Sequence, residues 1–306
     1  GKVGRHLNIV WFKRDLRMLD HGPLSDACAN RKILPLYILE PDLWRQPDVS
    51  YRHFLHLQHY LSQLDDMFIK RGAKLVIKVG EALPVLKSLA TRHNVKAIFS
   101  HYETWNKFSK DRDSAIRKWT DENSIDWKEY QQNGVVRNLI SRDGWSTLWH
   151  SHMRKKIYEV PKKIFCISED SDNLPSCQDM SLEFDGFEPN SNLGKIEPGI
   201  VLKSFLTERG ENYQREMSGP LLSADSCSRL STHIAFGTIS IRTIFQRTQE
   251  QTQKKLDLVG DKLKNWRASY NSFQKRLRWH CHFIQIFQFL DKICLLYTSD
   301  AADEGH

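Results

Sequence analysis

The segment VWFKRDLRMLDHGPL, residues 10–24, starts as an apolar strand and turns abruptly into a loop of alternating charges. Asp20 is expected to cap a helix that follows this loop. Taken singly, the charges of Arg14, Asp15 and Arg17 predict a loop whose side chains pair with one another and with a neighbouring domain. The segment therefore indicates a strand, a charged loop and a helix, which is the first step of an α/β fold.

Four more strand candidates extend this pattern along the first half of the chain. With LNIVWF at 7–12, they are ILPLYIL at 33–39, KLVIKV at 74–79, KAIFSH at 96–101 and DWKEYQ at 126–131. Each is followed by a charged amphipathic stretch, and several are apolar at nearly every position, as expected when helices cover both faces of a parallel sheet. The alternation predicts a doubly wound parallel five-stranded sheet, whose ligands bind beyond the carboxyl ends of the strands.

The composition changes between Ser168 and Gly199, where Ser, Asn, Asp, Pro and Gly dominate and periodicity is weak. Helical patterns without strand signals follow. We expect an α/β domain over 1–165, a surface linker over 166–198 and an incomplete all-α domain over 199–290. The small, acidic residues 291–306 match nothing before them, and we expect them to be a non-native tail.

The net charge of the 306-residue chain is +8, and most of it is concentrated in one segment. From Arg242 to Lys292 there are eleven Lys and Arg residues and four Asp and Glu residues. This excess favours a polyanionic partner, although a solvated helix face over an aromatic core explains it about as well. The six cysteines form no CxxC pair, and no apolar run reaches ~18 residues. We therefore expect a soluble, intracellular monomer with reduced thiols and no membrane partner.

The segment SCSRLSTHIAFGTISIR, residues 226–242, reads as two helix starts around a glycine. Ser231 is expected to cap a short helix, Gly237 to end it in the left-handed conformation, and Ser240 to cap the next helix. Helix N-termini expose unpaired N–H groups and partial positive charge, which suits a diphosphate. Plain double capping explains the same residues without a ligand, and from these residues alone it is the simpler interpretation.

Together the two segments resemble the photolyase/cryptochrome family. The first segment matches the family's opening pattern W-F-[KR]-R-D-L-R-x-x-D-x-x-P-L. The second matches the family's FAD-phosphate segment, with a residue pattern most similar to that of plant-type cryptochromes and related photolyases. The resemblance spans roughly residues 7–290. It implies an α/β antenna domain, a long linker and a helical FAD domain, the last of which normally continues well beyond this chain's end.

The resemblance also implies which residues bind FAD. By position, the phosphate contacts are Cys227, Ser228, Leu230 and Ser231, with Cys227 standing where the family usually has threonine. Tyr213 matches a tyrosine of the flavin domain that precedes this turn.

The segment SFQKRLRWHCHF, residues 272–283, resembles the family helix that normally reads Trp-x-x-Glu-x-x-Trp-Arg. Those places hold Phe273, Arg276, Trp279 and His280. The resemblance implies that Trp279 and Arg276 lie beside the flavin and the lesion, where the indole can stack on an unstacked base. Arg276 replaces a glutamate and His280 replaces an arginine, which favours a receptor over ordinary cyclobutane-dimer repair. His280 and His282 do not share a helix face, so no metal site is expected.

The function that the resemblance implies is a photolyase-like one. Blue light and reduced FAD would drive repair of pyrimidine lesions in DNA, which is the carbon–carbon lyase chemistry of a deoxyribodipyrimidine photo-lyase. The alternative is a cryptochrome-like photoreceptor that binds FAD without repairing DNA, and a third possibility is that the chain binds no flavin. An antenna chromophore of folate or deazaflavin type is expected at the strand ends, without a residue that identifies the pigment.

Overall fold

The computed structural model describes residues 6–29, 31–44, 51–103, 107–137, 141, 143–182, 195–213 and 229–304, with only the backbone described at 256 and 283–304. The chain divides into two compact units. The sheet unit comprises residues 1–130, 157–203 and 228–240, and the helical unit comprises residues 131–156, 204–227 and 241–306.

The strands of the described residues form one five-stranded sheet in the order β3-β2-β1-β4-β5, with every neighbouring pair parallel. Their bounds are β1 Leu7–Phe12, β2 Lys32–Leu39, β3 Val76–Val79, β4 Val95–His101 and β5 Asp126–Tyr130. The five predicted strands are confirmed, and their ends differ from the prediction by at most two residues. β1 lies at the centre of the sheet, so the charged loop that follows it emerges at the middle of the carboxyl edge.

The helices are numbered in chain order. They are α1 Gly22–Ala27, α2 Pro41–Trp44, α3 Tyr51–Ile69, α4 Ala82–Arg92, α5 Lys107–Glu122, α6 Trp145–Arg154, α7 Pro198–Ser204, α8 Ser231–Phe236, α9 Ile241–Lys254 and α10 Gly260–Glu304, with a π turn at Phe205–Arg209 and a 3₁₀ turn at Lys255–Asp257. Beyond residue 198 the described elements are all helical, as predicted. No helix in the described ranges combines the length and the apolar character needed to cross a membrane.

Both faces of the sheet are buried, as the nearly continuous apolar strands predict. Val10 and Phe12 of β1 point to one face and join a cluster with α3. Ile9 and Trp11 point to the other face and join a cluster with α4 and α5. This alternation holds β1 firmly on both sides, which gives the loop after it a rigid base.

Candidate functional site

Asp15 is the centre of a buried polar network directly after β1. Its Oδ1 accepts the backbone N–H of Lys13 at 2.7 Å, and its Oδ2 accepts from His21 Nε2 at 2.8 Å and His101 Nδ1 at 2.6 Å. Burial acts to raise the pKa of the Asp15 carboxyl, but His21 and the hydrogen bonds from both imidazoles hold that pKa well below its usual range. The ionised carboxylate thus ties the β1 loop to α1 and to the end of β4.

His21, rather than Asp20, is the N-cap of α1, so the predicted cap was wrong. The His21 Nδ1 atom accepts the N–H of Leu24 at 3.0 Å, so in the neutral ring the proton is on Nε2, which donates to Asp15. Asp15, His21 and His101 bring three possible ligand atoms close enough for a metal ion. If His21 Nε2 bound a metal ion, the ring proton would have to be on Nδ1, where it would face the N–H of Leu24. Hydrogen bonding therefore explains the arrangement of Asp15, His21 and His101 better than a metal ion does.

The β1 loop also holds α8 in place within the sheet unit. Arg17 Nη1 donates to the carbonyl of Gly237 at 3.0 Å, and the Leu16 N–H donates to the carbonyl of Phe236 at 3.1 Å. Ser240 Oγ donates to Asp20 Oδ2 at 2.6 Å. In the described contacts, Asp15 and Arg17 bind histidines and backbone carbonyls instead of each other, which corrects the predicted pairing within the loop.

Gly237 ends α8 in the left-handed conformation, with φ of 66°, as predicted. A Cβ atom at this position would lie 2.0 Å from the carbonyl oxygen of Arg14 and 2.6 Å from the Cα of Asp15. The glycine therefore serves both the turn and the close approach of two backbone segments.

Ser231 is the first residue of α8, not its cap, so that capping prediction was wrong. The residue before the helix is Leu230, whose side chain is fully buried and makes no capping hydrogen bond. Within the described residues, the N-cap residue therefore supplies no side-chain cap to the N-terminus of α8, and Ser231 is exposed there. This donor set fits a phosphate. Cys227 and Ser228 lie outside the described residues.

A cavity of about 240 Å³ opens at the carboxyl ends of β1 and β2 in the sheet unit. Its lining mixes aromatic and charged side chains: Trp11, Phe12, Lys13, Arg14, Tyr37, Ile38, Glu40, Leu43, Trp44, His53, Leu57, Glu103, Arg112, Ala235 and Phe236. A pocket of apolar walls with a few converging polar groups at strand ends is typical of a ligand site. We refer to it as the strand-end cavity.

Charged groups in the strand-end cavity are paired. Arg112 Nη1 donates to Glu40 Oε1 at 2.6 Å, while Arg112 Nη2 and Lys13 Nζ lie 3.1 and 3.7 Å from Glu103 Oε1. Burial raises the pKa of Glu40 to about 7 despite Arg112. Burial also acts to raise the pKa of Glu103, but Arg112 and Lys13 outweigh it and keep that pKa below its usual value. Of the two carboxyls, Glu40 is the one that titrates near neutral pH.

Sequence reasoning placed a ligand at the strand ends but missed these cavity residues. A signal was present, since Lys13 and Glu40 directly follow β1 and β2, and Glu103 lies just past the end of β4. Arg112 sits on α5 without such a signal.

In the helical unit, the structure brings Tyr213 and Phe273 together. The Tyr213 ring packs edge-on against Phe205, with centroids 5.3 Å apart, and against Phe273, with centroids 5.9 Å apart. All three rings are buried. Two positions that the family resemblance assigns to the flavin domain therefore share one aromatic cluster.

Arg276 and Trp279 lie on the exposed side of α10. The Trp279 side chain is 46% exposed, and its ring packs edge-on against His282 with centroids 5.1 Å apart. Arg276 and His280 are exposed as well. Trp266, Tyr270 and Phe273, the other rings of this basic segment, are buried. Those three belong to the core, which leaves Trp279 as the exposed stacking group among these four aromatic residues.

Comparison with known proteins covers most of the chain. The profile of the DNA photolyase family matches residues 8–140, which include the β1 loop and most residues of the strand-end cavity. A deoxyribodipyrimidine photo-lyase of Salmonella typhimurium is 23% identical, over 82% of this chain and 56% of its own length. A chloroplastic/mitochondrial cryptochrome DASH of Arabidopsis thaliana is 24% identical, over 83% of this chain and 49% of its own length. The chain thus spans about half the length of these curated relatives.

Solved structures share the fold. A crystal structure of an archaeal photolyase from Sulfolobus tokodaii matches with a TM-score of 0.63 and 24% identity, covering 92% of this chain and 60% of that one. That structure is described as holding two FAD molecules, with the implication of a novel light-harvesting cofactor. The parallel sheet, the two sequence motifs and these matches agree: residues 8–140 match the DNA photolyase family, and most of the chain is similar to photolyases and cryptochromes.

Proposed function

We propose that this protein is a photolyase-like flavoprotein that uses FAD and blue light to repair UV-induced pyrimidine lesions in DNA. The observation that carries the proposal is the exposed indole of Trp279 beside a row of cations on α10. A base that leaves the DNA stack needs an aromatic partner, and the phosphates around it need cations. Both requirements are met on one helix face.

The cations follow helical spacing. Lys264, Arg267 and Lys275 are exposed, and Arg278 is half-buried with its Nη1 atom 3.4 Å from Ser146 Oγ. At 100° per residue these four side chains fall on one stripe, opposite the buried Trp266, Tyr270 and Phe273. The stripe is about 21 Å long at 1.5 Å per residue, which is enough to follow several phosphates of one strand. Trp279 borders this stripe and Arg276 lies next to Trp279.

FAD binding is supported by two features of the chain. The N-terminus of α8, where Leu230 makes no side-chain capping hydrogen bond, suits its diphosphate. In the helical unit, Tyr213 packs in an aromatic cluster with Phe205 and with Phe273 of α10. When bound, FAD supplies the light-driven electron donation on which lesion repair depends. By resemblance, Cys227 and Ser228 extend the phosphate turn. Trp279 and Arg276 are proposed to orient the base and its phosphate.

The test begins with the cofactor. The absorption spectrum of the purified protein, followed by chromatography of what it releases on denaturation, is expected to reveal stoichiometric FAD. The double variant Ser228→Ala/Ser231→Ala is expected to retain less FAD, because both residues belong to the proposed phosphate turn. Unchanged flavin content in that variant would remove the phosphate turn from the proposal.

Repair is then measured on irradiated oligonucleotides. Light-dependent loss of pyrimidine dimers by the FAD-loaded protein is the expected result. Full flavin loading and photoreduction without dimer loss would instead support the cryptochrome-like photoreceptor. Arg276 and His280 favour this second function, because they replace a glutamate and an arginine at positions that are exposed here.

The strand-end cavity is proposed to hold an antenna chromophore of folate or deazaflavin type. The proposal is supported by the aromatic walls, the strand-end position and the paired charges around Arg112. A second chromophore with its own absorption band, lost from an Arg112→Leu variant while FAD is retained, would support it. An unchanged pigment content in that variant would exclude this cavity as the site.

A further inference from the structure

A group of histidines joins α8 to α3 near Phe236, which also lines the strand-end cavity. His56 and His59 of α3 and His233 of α8 surround Tyr60, with centroid distances to the Tyr60 ring of 5.9, 5.7 and 5.5 Å. Tyr60 and His233 are each 1% exposed, and His56 is also buried. We call these four residues the histidine cluster. It forms the main side-chain contact of α8 with α3, together with Phe236, whose ring centroid lies 5.4 Å from that of Tyr60.

Polar atoms inside the histidine cluster lack partners. His59 Nε2, Tyr60 Oη and His233 Nε2 are buried and make no hydrogen bond of normal geometry within the described part of the chain, although the backbones of Lys195 and Ile196 still influence the pKa of His59 and of His233. The Thr238 hydroxyl lies 3.4 Å from the His233 carbonyl, which it can donate to, and its Oγ1 lies 2.7 Å from His233 Nδ1. The Thr238 hydroxyl and His233 Nδ1 therefore form one hydrogen bond, in which the tautomer of the ring decides which atom donates. A second proton on the His233 ring would place a positive charge in a buried site, which is unfavourable even though the Ile196 backbone interacts with that ring.

Most charged groups that face the histidine cluster are cationic at neutral pH or become cationic when they are protonated. His56 faces Arg52, His53, His59 and Lys195, and His59 faces Lys195. His233 faces His56 and His59, with Glu197 as the opposing acid. The Glu197 carboxylate already accepts the N–H groups of Gly199 and Ile200 at 2.9 and 3.0 Å.

These surroundings keep the imidazoles neutral. Burial first, and then the neighbouring basic groups, lowers the pKa of His56. Burial also lowers the pKa of His59, with the Lys195 charge acting in the same direction and a hydrogen bond with the Lys195 backbone opposing it. Burial, aided by His56 and His59, lowers the pKa of His233 to about 4, although a hydrogen bond with the Ile196 backbone and the charge of Glu197 oppose the shift. Protonation of one imidazole lowers the pKa of the others in the cluster. The histidines therefore bind protons more weakly when α8 is docked on α3 than when it is released.

The contact of α8 with α3 also forms one wall of the strand-end cavity. Ala235 and Phe236 of α8 line that cavity together with His53 and Leu57 of α3. The Phe236 ring lies 6.4 Å from that of His53, and its carbonyl accepts the Leu16 N–H. If α8 left α3, one wall of the cavity would be removed.

We propose that the histidine cluster is a proton-operated latch on the strand-end cavity. With neutral imidazoles α8 stays docked on α3 and completes the cavity wall, and protonation favours the released α8 and removes that wall. The latch follows from the cluster alone. Its consequence, release of a bound pigment at acid pH, rests on the proposed antenna function of the cavity.

The size of the effect follows from His233. A released histidine has a pKa near 6.5 and the docked His233 has one of about 4. The ratio of released to docked α8 therefore rises roughly 30-fold between about pH 7.5 and about pH 5. His56 and His59 shift the ratio in the same direction.

Hydrogen exchange on the ligand-free protein tests the latch, so a failure of the proposed pigment or FAD binding does not affect the result. The reporters are the amides of Ile234, which donates to Leu230, and of Leu16, which donates to Phe236. Rates are corrected for intrinsic exchange and compared with α4, which lies outside the cluster. Protection of both reporters is expected to fall roughly 30-fold relative to α4 between about pH 7.5 and about pH 5.

Two variants and a control complete the experiment. His233→Phe keeps an aromatic ring but cannot be protonated, and it is expected to remove most of the pH dependence. If His233→Phe does not fold, the double variant His56→Gln/His59→Gln takes its place and is also expected to reduce the pH dependence of protection. His6→Gln, at an exposed histidine outside the cluster, is expected to behave like the wild type. Equal pH dependence for the reporters and α4, or a fall that persists in the cluster variant, would overturn the proposal.

Discussion

Replacing Gly237 with alanine tests whether the β1 loop and the end of α8 are packed backbone against backbone. Gly237 has a φ of 66°, and an added Cβ would lie 2.0 Å from the Arg14 carbonyl oxygen. No side-chain rotation relieves this contact, since the opposing atoms belong to the backbone of Arg14 and Asp15. Either the loop or α8 has to move, and the Arg17 bond to the Gly237 carbonyl moves with it.

The expected cost has three contributions. An alanine in the left-handed region costs about 1 kcal/mol relative to glycine. Forcing two packed segments apart costs about 1–3 kcal/mol. Weakening the hydrogen bond from Arg17 or from Leu16 adds about 1 kcal/mol. We therefore expect Gly237→Ala to lower the free energy of unfolding by about 3–5 kcal/mol, whereas the left-handed conformation alone accounts for about 1 kcal/mol.

Gly72→Ala is the matched control, because Gly72 has a φ of 78° but no atom within 4 Å of an added Cβ. Thermal unfolding followed by circular dichroism is expected to show a fall in Tm of about 2–4 °C for Gly72→Ala and several times more for Gly237→Ala. Gly237→Ala is also expected to retain less flavin, since α8 carries Leu230 and Ser231. Equal losses of Tm in the two variants would refute the close approach of the two backbones.

Other predictions concern the DNA surface and the stability of the sheet unit. Trp279→Ala is expected to weaken binding of a lesion-containing oligonucleotide by roughly 5- to 150-fold, from about 1–3 kcal/mol of stacking, as measured by fluorescence anisotropy. Lys264→Gln/Lys275→Gln is expected to reduce the slope of log K against log salt by about 1–2, because two phosphate contacts are lost. Glu169 accepts hydrogen bonds from Arg92, His93 and Lys78, which lower its pKa to about 2 although burial opposes the shift. Its contribution to stability is present above about pH 4.5 and is lost as the pH falls toward about 2, and Glu169→Gln is expected to abolish this dependence in urea unfolding.

Each of these three predictions has a distinct contrary outcome. Unchanged affinity of the Trp279 variant for damaged DNA would remove the indole from the binding surface. An unaltered salt slope in the double lysine variant would show that the stripe is only a solvated helix face. Parallel stability curves for the wild type and Glu169→Gln below about pH 4.5 would mean that the Glu169 contacts contribute no stability.

The sequence by itself determined the type and order of the secondary structure. Runs such as ILPLYIL and the amphipathic stretches between strands are local signals, because a strand or helix face is set by residues close together in the chain. For the same reason the role of Gly237 was predictable, since a helix end that needs the left-handed conformation selects glycine locally. The two motifs, in their order along the chain, also predicted the resemblance to the photolyase/cryptochrome family.

Helix starts were less predictable from local chemistry. Asp20 has the side chain of a typical cap, yet α1 is capped by His21, because Asp20 instead accepts from Ser240. Ser231 likewise became the first residue of α8, since the buried Leu230 precedes it. For Asp20 a contact from elsewhere in the fold overrode a local preference, and for Ser231 the burial of the preceding residue did so.

Only the tertiary structure decided which side chains meet at the strand ends. His101 reaches Asp15 across 86 residues and Arg112 reaches Glu40 across 72, because the order β3-β2-β1-β4-β5 gathers the ends of distant strands at one edge. The contact between His233 and Tyr60 depends in the same way on where α8 docks. Hydrophobic periodicity fixes each element through neighbours a few residues away, whereas the cavity and the histidine cluster arise from packing between elements that no local pattern specifies.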